Sequence, residues 1–126
     1  MAKKASKKSI AWTPRPAAGN YPSAESYLTL IYPAARAAAY VKKLKAARIT
    51  VFKAKDIFRA SGLSLLGISN KRVENDRRKI TAGQALSPLL LVRDSANGKV
   101  IIADGYHRLC AVYEFNEDAD IPCQIV

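Results

Sequence analysis

The apolar and polar positions of this chain repeat with two different periods, and these periods predict a mixture of helices and strands. Apolar side chains at helical spacing predict an alanine-rich helix over residues 33–48 and a second helix over residues 69–81. Ser69 or Asn70 can cap this second helix, because both side chains accept hydrogen bonds from free N–H groups. A third helix is predicted over residues 106–115.

Four further apolar segments predict the strands of a small sheet. Their residues are 49–57, 88–92, 99–103 and 121–126. The first segment is followed by a short helical turn over residues 58–61, which Gly62 ends. Asn97-Gly98 supplies the turn between the second and third segments. Pro122 indicates either the start of the last strand or an edge of the sheet. Helices and strands in this order predict an α+β domain.

The composition of the first 23 residues predicts a basic, disordered tail that precedes the folded part of the chain. Lysine, serine, alanine and three prolines dominate residues 1–23, and this composition buries too little apolar surface to order the backbone. Trp12 and Tyr21 are exceptions, because each could dock on the domain. Residues 24–48 are then a helical extension that precedes the domain.

The net charge of the chain is strongly positive, and this indicates the kind of partner that the domain binds. The chain carries 21 Lys and Arg against 10 Asp and Glu, which gives a formal charge of +11 and a pI of about 9.9. Five of the basic residues lie in residues 1–16, where there is no acid. Such a charge favours polyanionic partners, namely nucleic acid or nucleotides, although a cationic surface also serves solubility.

Two further features bear on the cellular location. No apolar run reaches the roughly 20 residues that cross a bilayer, and the N-terminus lacks the apolar segment of a secretory signal. A cytoplasmic protein without a membrane partner is therefore expected. Cys110 and Cys123 are too few for a disulfide scaffold and are expected to be buried thiols.

Residues 101–108, Ile-Ile-Ala-Asp-Gly-Tyr-His-Arg, form the candidate site of chemistry. The first N–H groups of a helix lack carbonyl partners and carry partial positive charge. Gly105 permits close backbone approach, and His107 and Arg108 add donors, so the predicted ligand is a phosphate. The alternative is an ordinary strand–turn–helix corner that Asp104 caps, with both basic side chains in water.

Five more side chains are candidates for the same site. Asp104 is the carboxylate nearest in sequence that could hold a metal ion or orient water, and its alternative role is the N-cap. Tyr106 is either a packed aromatic residue or a group that stacks on a base or contacts a ribose. Arg72, Asn75 and Lys79 share one face of the second predicted helix. That face is a solvated surface unless the helix packs beside the glycine turn.

Three segments together resemble the ParB/sulfiredoxin superfamily. They are Ser87-Pro-Leu-Leu-Leu-Val-Arg93, Val100-Ile-Ile-Ala-Asp-Gly-Tyr-His-Arg-Leu-Cys-Ala-Val112 and Ile121-Pro-Cys-Gln-Ile-Val126. The resemblance covers residues 49–126. It implies a small mixed sheet flanked by helices, which the basic tail and the alanine-rich helix precede in this chain.

The resemblance also implies a nucleotide-phosphate site at the helix start, where Gly105, His107 and Arg108 match the family motif. The sulfiredoxin branch adds an earlier helix to the site, and the face with Arg72 is its looser counterpart here. The sulfiredoxin nucleophile is a cysteine between the glycine and the histidine. Tyr106 stands at that position, which disfavours reduction of sulfinic acid and also removes the carboxylate that ParB proteins carry there. The domain then resembles the nuclease-like members of the superfamily.

We therefore expect a small ParB/sulfiredoxin-like protein that binds a nucleotide or nucleic-acid phosphate at residues 105–108. Its enzymatic version is a ParB-like nuclease or a nucleotide hydrolase, in which hydrolysis would depend on Mg²⁺ bound beside ATP or CTP. The alternative is a non-catalytic DNA-binding accessory protein that uses the basic tail and the alanine-rich helix. The oligomeric state is left open.

Overall fold

The computed structural model describes residues 9–67 and 69–126, and within them the chain forms five α-helices and four strands. The helices are α1 (Asn20–Leu28), α2 (Ala34–Ala46), α3 (Ala54–Ser61), α4 (Lys71–Thr81) and α5 (Tyr106–Phe115). The strands are β1 (Thr50–Lys53), β2 (Leu89–Asp94), β3 (Lys99–Asp104) and β4 (Asp120–Ile125). The predicted α+β class is confirmed.

The four strands form one mixed sheet in the order β1-β4-β2-β3. The pairs β1–β4 and β2–β3 are antiparallel, whereas β2 and β4 run parallel. Although β4 is an inner strand, Pro122 lies where β1 is its only partner, because pairing with β2 begins at Cys123. The proline therefore lies near the start of the strand, which is one of its two predicted places.

Helices cover the sheet on both faces, and β2 is buried between them. Leu89 and Leu91 face a core that contains residues of α3, α4 and α5, whereas Leu90 and Val92 face α1 and α2. This alternation follows the two-residue period of a strand, and two covered faces account for its continuous apolar sequence. Residues 24–48, predicted as an extension, form most of the layer over the second face.

The segment predicted as a tail, residues 1–23, contains ordered structure where the chain is described. Trp12 forms a parallel bridge with Leu86 beside the sheet, and two backbone hydrogen bonds flank that bridge. Helix α1 begins at Asn20, inside the same segment.

The aromatic residues of this segment explain the difference from the predicted tail. Tyr21 is buried, and its hydroxyl donates to Oε1 of the buried Gln124 at 2.6 Å. Trp12 packs against the core on the other face of the sheet. Two large side chains thus supply the apolar area that the average composition lacks. The difference concerns residues 9–23, while residues 1–8 lie outside the described part of the chain.

The strand predicted over residues 49–57 is wrong in its second half, because α3 begins at Ala54. Ala54, Ile57 and Ser61 are buried at helical spacing, so packing of one helix face prevails over the partial alternation of the sequence. Gly62 ends α3 with a φ of 68°, as predicted.

The other two predicted helices of the core are confirmed. Asn70 caps α4, and its side-chain oxygen accepts from the N–H groups of Arg72 and Val73 at 3.0 and 3.2 Å. Helix α5 has the predicted bounds. None of the helices in the described residues is long and apolar enough to cross a membrane.

Candidate anion-binding site

The glycine turn between β3 and α5 leaves the first turn of the helix uncapped. Gly105 is the N-cap residue with a φ of 109°, and within the described residues no side chain caps the helix. The alternative in which Asp104 caps α5 is therefore wrong. The N–H groups at this end of the helix retain their partial positive charge, because none of the described side chains accepts from them.

Asp104 instead accepts a hydrogen bond from the guanidinium of Arg108, one helical turn further along. The Asp104 Oδ2 to Arg108 Nη2 distance is 2.9 Å, and the two side chains are only 14% and 17% exposed. The same Nη2 lies 3.4 Å from the carbonyl oxygen of Pro88. These contacts hold the guanidinium at the helix start and keep it out of bulk water.

The Nε of Arg108 is buried and has no hydrogen-bond partner within the described residues. A buried donor without an acceptor costs roughly 1–3 kcal/mol, more when it is charged. Such unsatisfied groups are rare in folded proteins, and an acceptor from outside the chain is one way to satisfy them.

Helix α4 packs beside α5 and brings the second predicted face to the glycine turn. A cavity of about 240 Å³ lies between them. Its lining consists of Arg72, Asn75, Asp76, Lys79, Asp104, Gly105, His107 and Arg108. Seven of the eight predicted site residues therefore share this cavity, although three come from α4 and four from the β3–α5 junction, which lies far from α4 in the sequence.

Asp76 is the one lining residue that the sequence interpretation missed. Burial raises the pKa of its carboxyl group, and the nearby charges of Lys79, Arg108 and His107 lower that pKa. The missed signal is helical spacing, because Asp76 lies four residues after Arg72 and three before Lys79. The cavity thus holds two carboxylates, Asp76 and Asp104, beside its basic groups.

The charge of His107 depends on pH near neutrality, because the ordinary pKa of a histidine is 6.5. Burial lowers its pKa below the ordinary value of 6.5, and the positive charge of Arg72 lowers the pKa further. Asp76 opposes this effect. The imidazole is therefore mostly neutral at neutral pH and gains its charge only in a more acidic medium or beside an added anion.

Tyr106 is the predicted site residue that the structure does not bring into this cavity. It lines a neighbouring cavity of about 370 Å³, together with Tyr27 and Leu63. Its hydroxyl donates to the carbonyl oxygen of Ser64, and its ring centroid lies 5.6 Å from that of His107. Because the two cavities share Asp104, Gly105 and His107, Tyr106 lies next to the predicted site.

The remaining candidate groups for chemistry are the two cysteines and the side chains that could hold a metal ion. Cys110 and Cys123 are free and buried, as predicted, and burial raises the pKa of Cys123 to about 12. The described residues contain no cluster of three or more His, Cys, Asp or Glu side chains that could hold a metal ion.

Comparison of the chain with protein-family models, with curated proteins and with solved structures gives no match. Membership of the ParB/sulfiredoxin superfamily stays a prediction, and it rests on the sequence segments that resemble that superfamily.

Proposed function

We propose that the cavity between α4 and α5 binds a phosphate group of a nucleotide or a nucleic acid. The observation that carries this proposal is the state of Arg108, a lining residue of the cavity at an uncapped helix start, whose buried Nε lacks a partner in the described residues. A phosphate oxygen is a suitable acceptor, because guanidinium and phosphate form strong, directional hydrogen bonds.

Directed donors, more than net charge, support this choice. Arg72, Lys79 and Arg108 face two carboxylates, so the local excess of positive charge is small. The carboxylate of Asp104 orients the guanidinium of Arg108 at 2.9 Å, and the α5 N–H groups add their dipole. A preoriented donor set of this kind recognises the geometry of an oxyanion and loses little entropy on binding.

The size of the cavity supports a nucleotide whose phosphate lies inside and whose nucleoside lies outside. A volume of about 240 Å³ is below the range of roughly 300–1,000 Å³ that pockets for whole drug-sized ligands occupy. The adjacent cavity of about 370 Å³ contains Tyr27 and Tyr106, and aromatic rings suit a base or a ribose. The shared residues Gly105 and His107 would lie between the two parts of the ligand.

The cavity contains oxygen atoms that could bind the predicted Mg²⁺, although one of its two carboxylates already has a partner. Asp76 and Asn75 carry the hard oxygen atoms that Mg²⁺ prefers, and Mg²⁺ often uses one or two carboxylates together with substrate phosphates. When bound, Mg²⁺ would neutralise phosphate charge and favour attack by water. Asp104 already pairs with Arg108. Its role as a metal ligand or in water activation stays a prediction, as does hydrolysis itself.

Calorimetric titration with ATP, CTP, GTP and inorganic phosphate, each with and without Mg²⁺, tests the proposal. The Lys79→Ala and Arg72→Ala variants remove exposed cations of the cavity and should weaken binding about tenfold each. Arg108→Ala should abolish measurable binding, but it also leaves Asp104 buried without its partner.

Lys71→Ala is the matched control, because Lys71 is an exposed α4 residue outside the cavity lining. It removes the same charge from the same helix, and its affinity should stay within about twofold of the intact protein. No heat with any of the four ligands, or an equal loss in Lys71→Ala and Lys79→Ala, would overturn the proposal.

A further inference from the structure

The net positive charge of this protein arises entirely from its first 55 residues. Residues 1–55 contain twelve Lys and Arg against one Glu, whereas residues 56–126 contain nine Lys and Arg against nine Asp and Glu. The half of the chain that contains the cavity is therefore neutral in total. The net charge of +11 needs an explanation that lies outside the proposed phosphate site.

A large part of this charge lies on and beside α2. We call these residues the α2 basic surface: Arg15, Arg36, Lys42, Lys43, Lys45 and Arg48. All six are exposed, and within the described part of the chain none of them forms a salt bridge. By contrast, Lys53 and Lys55 pair with Asp120 and Asp118.

Two arginines of the α2 basic surface are held in place by neighbouring groups. The guanidinium of Arg36 lies 4.7 Å from the ring centroid of Tyr32 and donates to the Tyr40 hydroxyl at 3.2 Å. Arg15 donates to the carbonyl oxygen of Lys45 at 3.2 Å, which joins the segment before α1 to the end of α2. Restrained cations lose less side-chain entropy when they bind a charged partner.

The exposed side of α2 has small side chains between its cations. Ala35, Ala39 and Ala46 are exposed and lie along one stripe of the helix, with Lys42 on one side and Lys43 on the other. Methyl side chains let a partner surface approach the helix closely. The flanking lysines can then reach charges on both sides of the contact.

We propose that the α2 basic surface binds the phosphate backbone of double-helical nucleic acid. A row of cations that form no salt bridge within the described residues, on both sides of a stripe of small side chains, complements a regular row of phosphates. A duplex fits better than a single strand, because single-strand surfaces offer aromatic rings on which bases stack. The aromatic residue on this part of α2, Tyr40, is half-buried and packs against Tyr32 and Arg36.

This surface is separate from the cavity and does not depend on its proposed function. Helix α2 packs on the sheet face with Leu90 and Val92, whereas α4 and α5 belong to the core on the opposite face. A duplex along α2 would therefore leave the cavity accessible. Each function can fail without the other, and separate variants distinguish them.

The test is fluorescence anisotropy of a labelled 24-base-pair DNA duplex of mixed sequence, measured over a series of salt concentrations. The variant is Lys42→Ala combined with Lys43→Ala and Lys45→Ala, three substitutions to the best helix former. We expect about tenfold weaker binding at 0.1 M salt and a salt slope smaller by about 2–3, since each lost phosphate contact contributes about 0.9.

The matched control is Arg59→Ala combined with Lys71→Ala and Lys99→Ala, three exposed cations of the neutral half. It removes the same charge, and its affinity and salt slope should stay close to those of the intact protein. Circular dichroism melts of each variant verify that it is folded.

Three outcomes would overturn the inference. The first is no binding of the duplex by the intact protein. The second is an equal loss in both triple variants, because net charge alone would then account for the binding. The third is stronger binding to single-stranded DNA or to vesicles that contain phosphatidylserine than to the duplex, because another polyanion would then be the partner.

Discussion

Gly105 lies at the one position in the site where a side chain would collide with two neighbours. A Cβ atom there would lie 2.7 Å from Cγ of the buried Leu89 and 2.9 Å from Nη2 of Arg108. Its φ of 109° is also a conformation that other residues adopt only under strain. The absence of a side chain thus lets β2, β3 and the guanidinium meet.

We expect Gly105→Ala to lower the free energy of unfolding by about 2–4 kcal/mol, from backbone strain together with overpacking. It should also weaken phosphate binding, because the added methyl group displaces Arg108. Gly98→Ala is the control, since its φ is 64° and no atom lies within 4 Å of the added Cβ. That change should cost about 1 kcal/mol in chemical denaturation. An equal loss of unfolding free energy in Gly105→Ala and Gly98→Ala would contradict the packing argument.

His107 offers a direct measurement because it is the single histidine of the chain. Burial and the charge of Arg72 lower its pKa in the folded state, so the unfolded chain binds the proton more tightly. The stabilising contribution of neutral His107 is present above pH 6.5 and is lost as the pH falls through the folded pKa. Bound phosphate should act in the opposite direction and raise the pKa.

An NMR titration of the imidazole tests these directions. We expect a pKa below 6.5 in the intact protein, a higher value in Arg72→Ala, and a higher value again when phosphate is added to the intact protein. Phosphate affinity should therefore increase as the pH falls through the pKa of the free protein. A pKa that does not change with phosphate would separate His107 from the binding site.

At the scale of the element, α4 is stabilised by a carboxylate that two arginines share. Glu74 accepts from Nε of Arg77 at 2.8 Å and from Nε of Arg78 at 3.0 Å. These hydrogen bonds lower the pKa of Glu74 to about 2. They keep the helix ordered while its other face lines the cavity.

Glu74→Gln should lower the melting temperature by about 2–4 °C at pH 7, which is the range for a surface ion-pair cluster. A lowered carboxyl pKa stabilises the folded state above the unfolded value of 4.5, and this contribution disappears as the pH falls towards 2. The difference between the variant and the intact protein should therefore shrink from pH 5 to pH 2. Glu25→Gln, which removes an α1 carboxylate that forms no salt bridge within the described residues, should leave the melting temperature at pH 7 close to that of the intact protein.

The elements also show where sequence reasoning reached its limit. The caps and stops of α4 and α5 act within a few residues, so Asn70 and Gly105 could be recognised from the sequence. The sequence signal at the start of α3 is mixed. Residues 49–57 alternate partly like a strand, whereas Ala54, Ile57 and Ser61 repeat at helical spacing, and the packing of Ala54 and Ile57 in the core favours the helix.

At the scale of the whole molecule, residues 9–48 complete the fold. Helices α1 and α2 cover Leu90, Val92 and Ala103, each of which is at most 5% exposed. The side chain of Gln124 ties the layers together, because it accepts from Tyr21 at 2.6 Å and donates to the carbonyl oxygen of Ala47 at 2.7 Å.

A fragment of residues 49–126 should therefore fail to fold, because one face of its sheet would expose a continuous apolar surface. Residues 9–126 should fold with a cooperative melt. In the intact chain, Tyr21→Phe should cost about 1–3 kcal/mol, because Oε1 of Gln124 would lose its donor. Circular dichroism melts measure all three. A cooperatively folded 49–126 fragment would contradict the two-layer argument.

The sequence by itself determined the features that depend on neighbouring residues: the α+β class, the glycine turn after β3, the helix that follows it, and the basic face of α4. Tertiary structure decided which of these features meet. It packed α4 beside α5, added Asp76 to the cavity, turned Asp104 towards Arg108 and used residues 20–46 as a layer of the fold. Helix capping, turn formation and hydrophobic periodicity depend on residues close together in the sequence, whereas the contacts between these elements depend on packing of segments far apart in the chain.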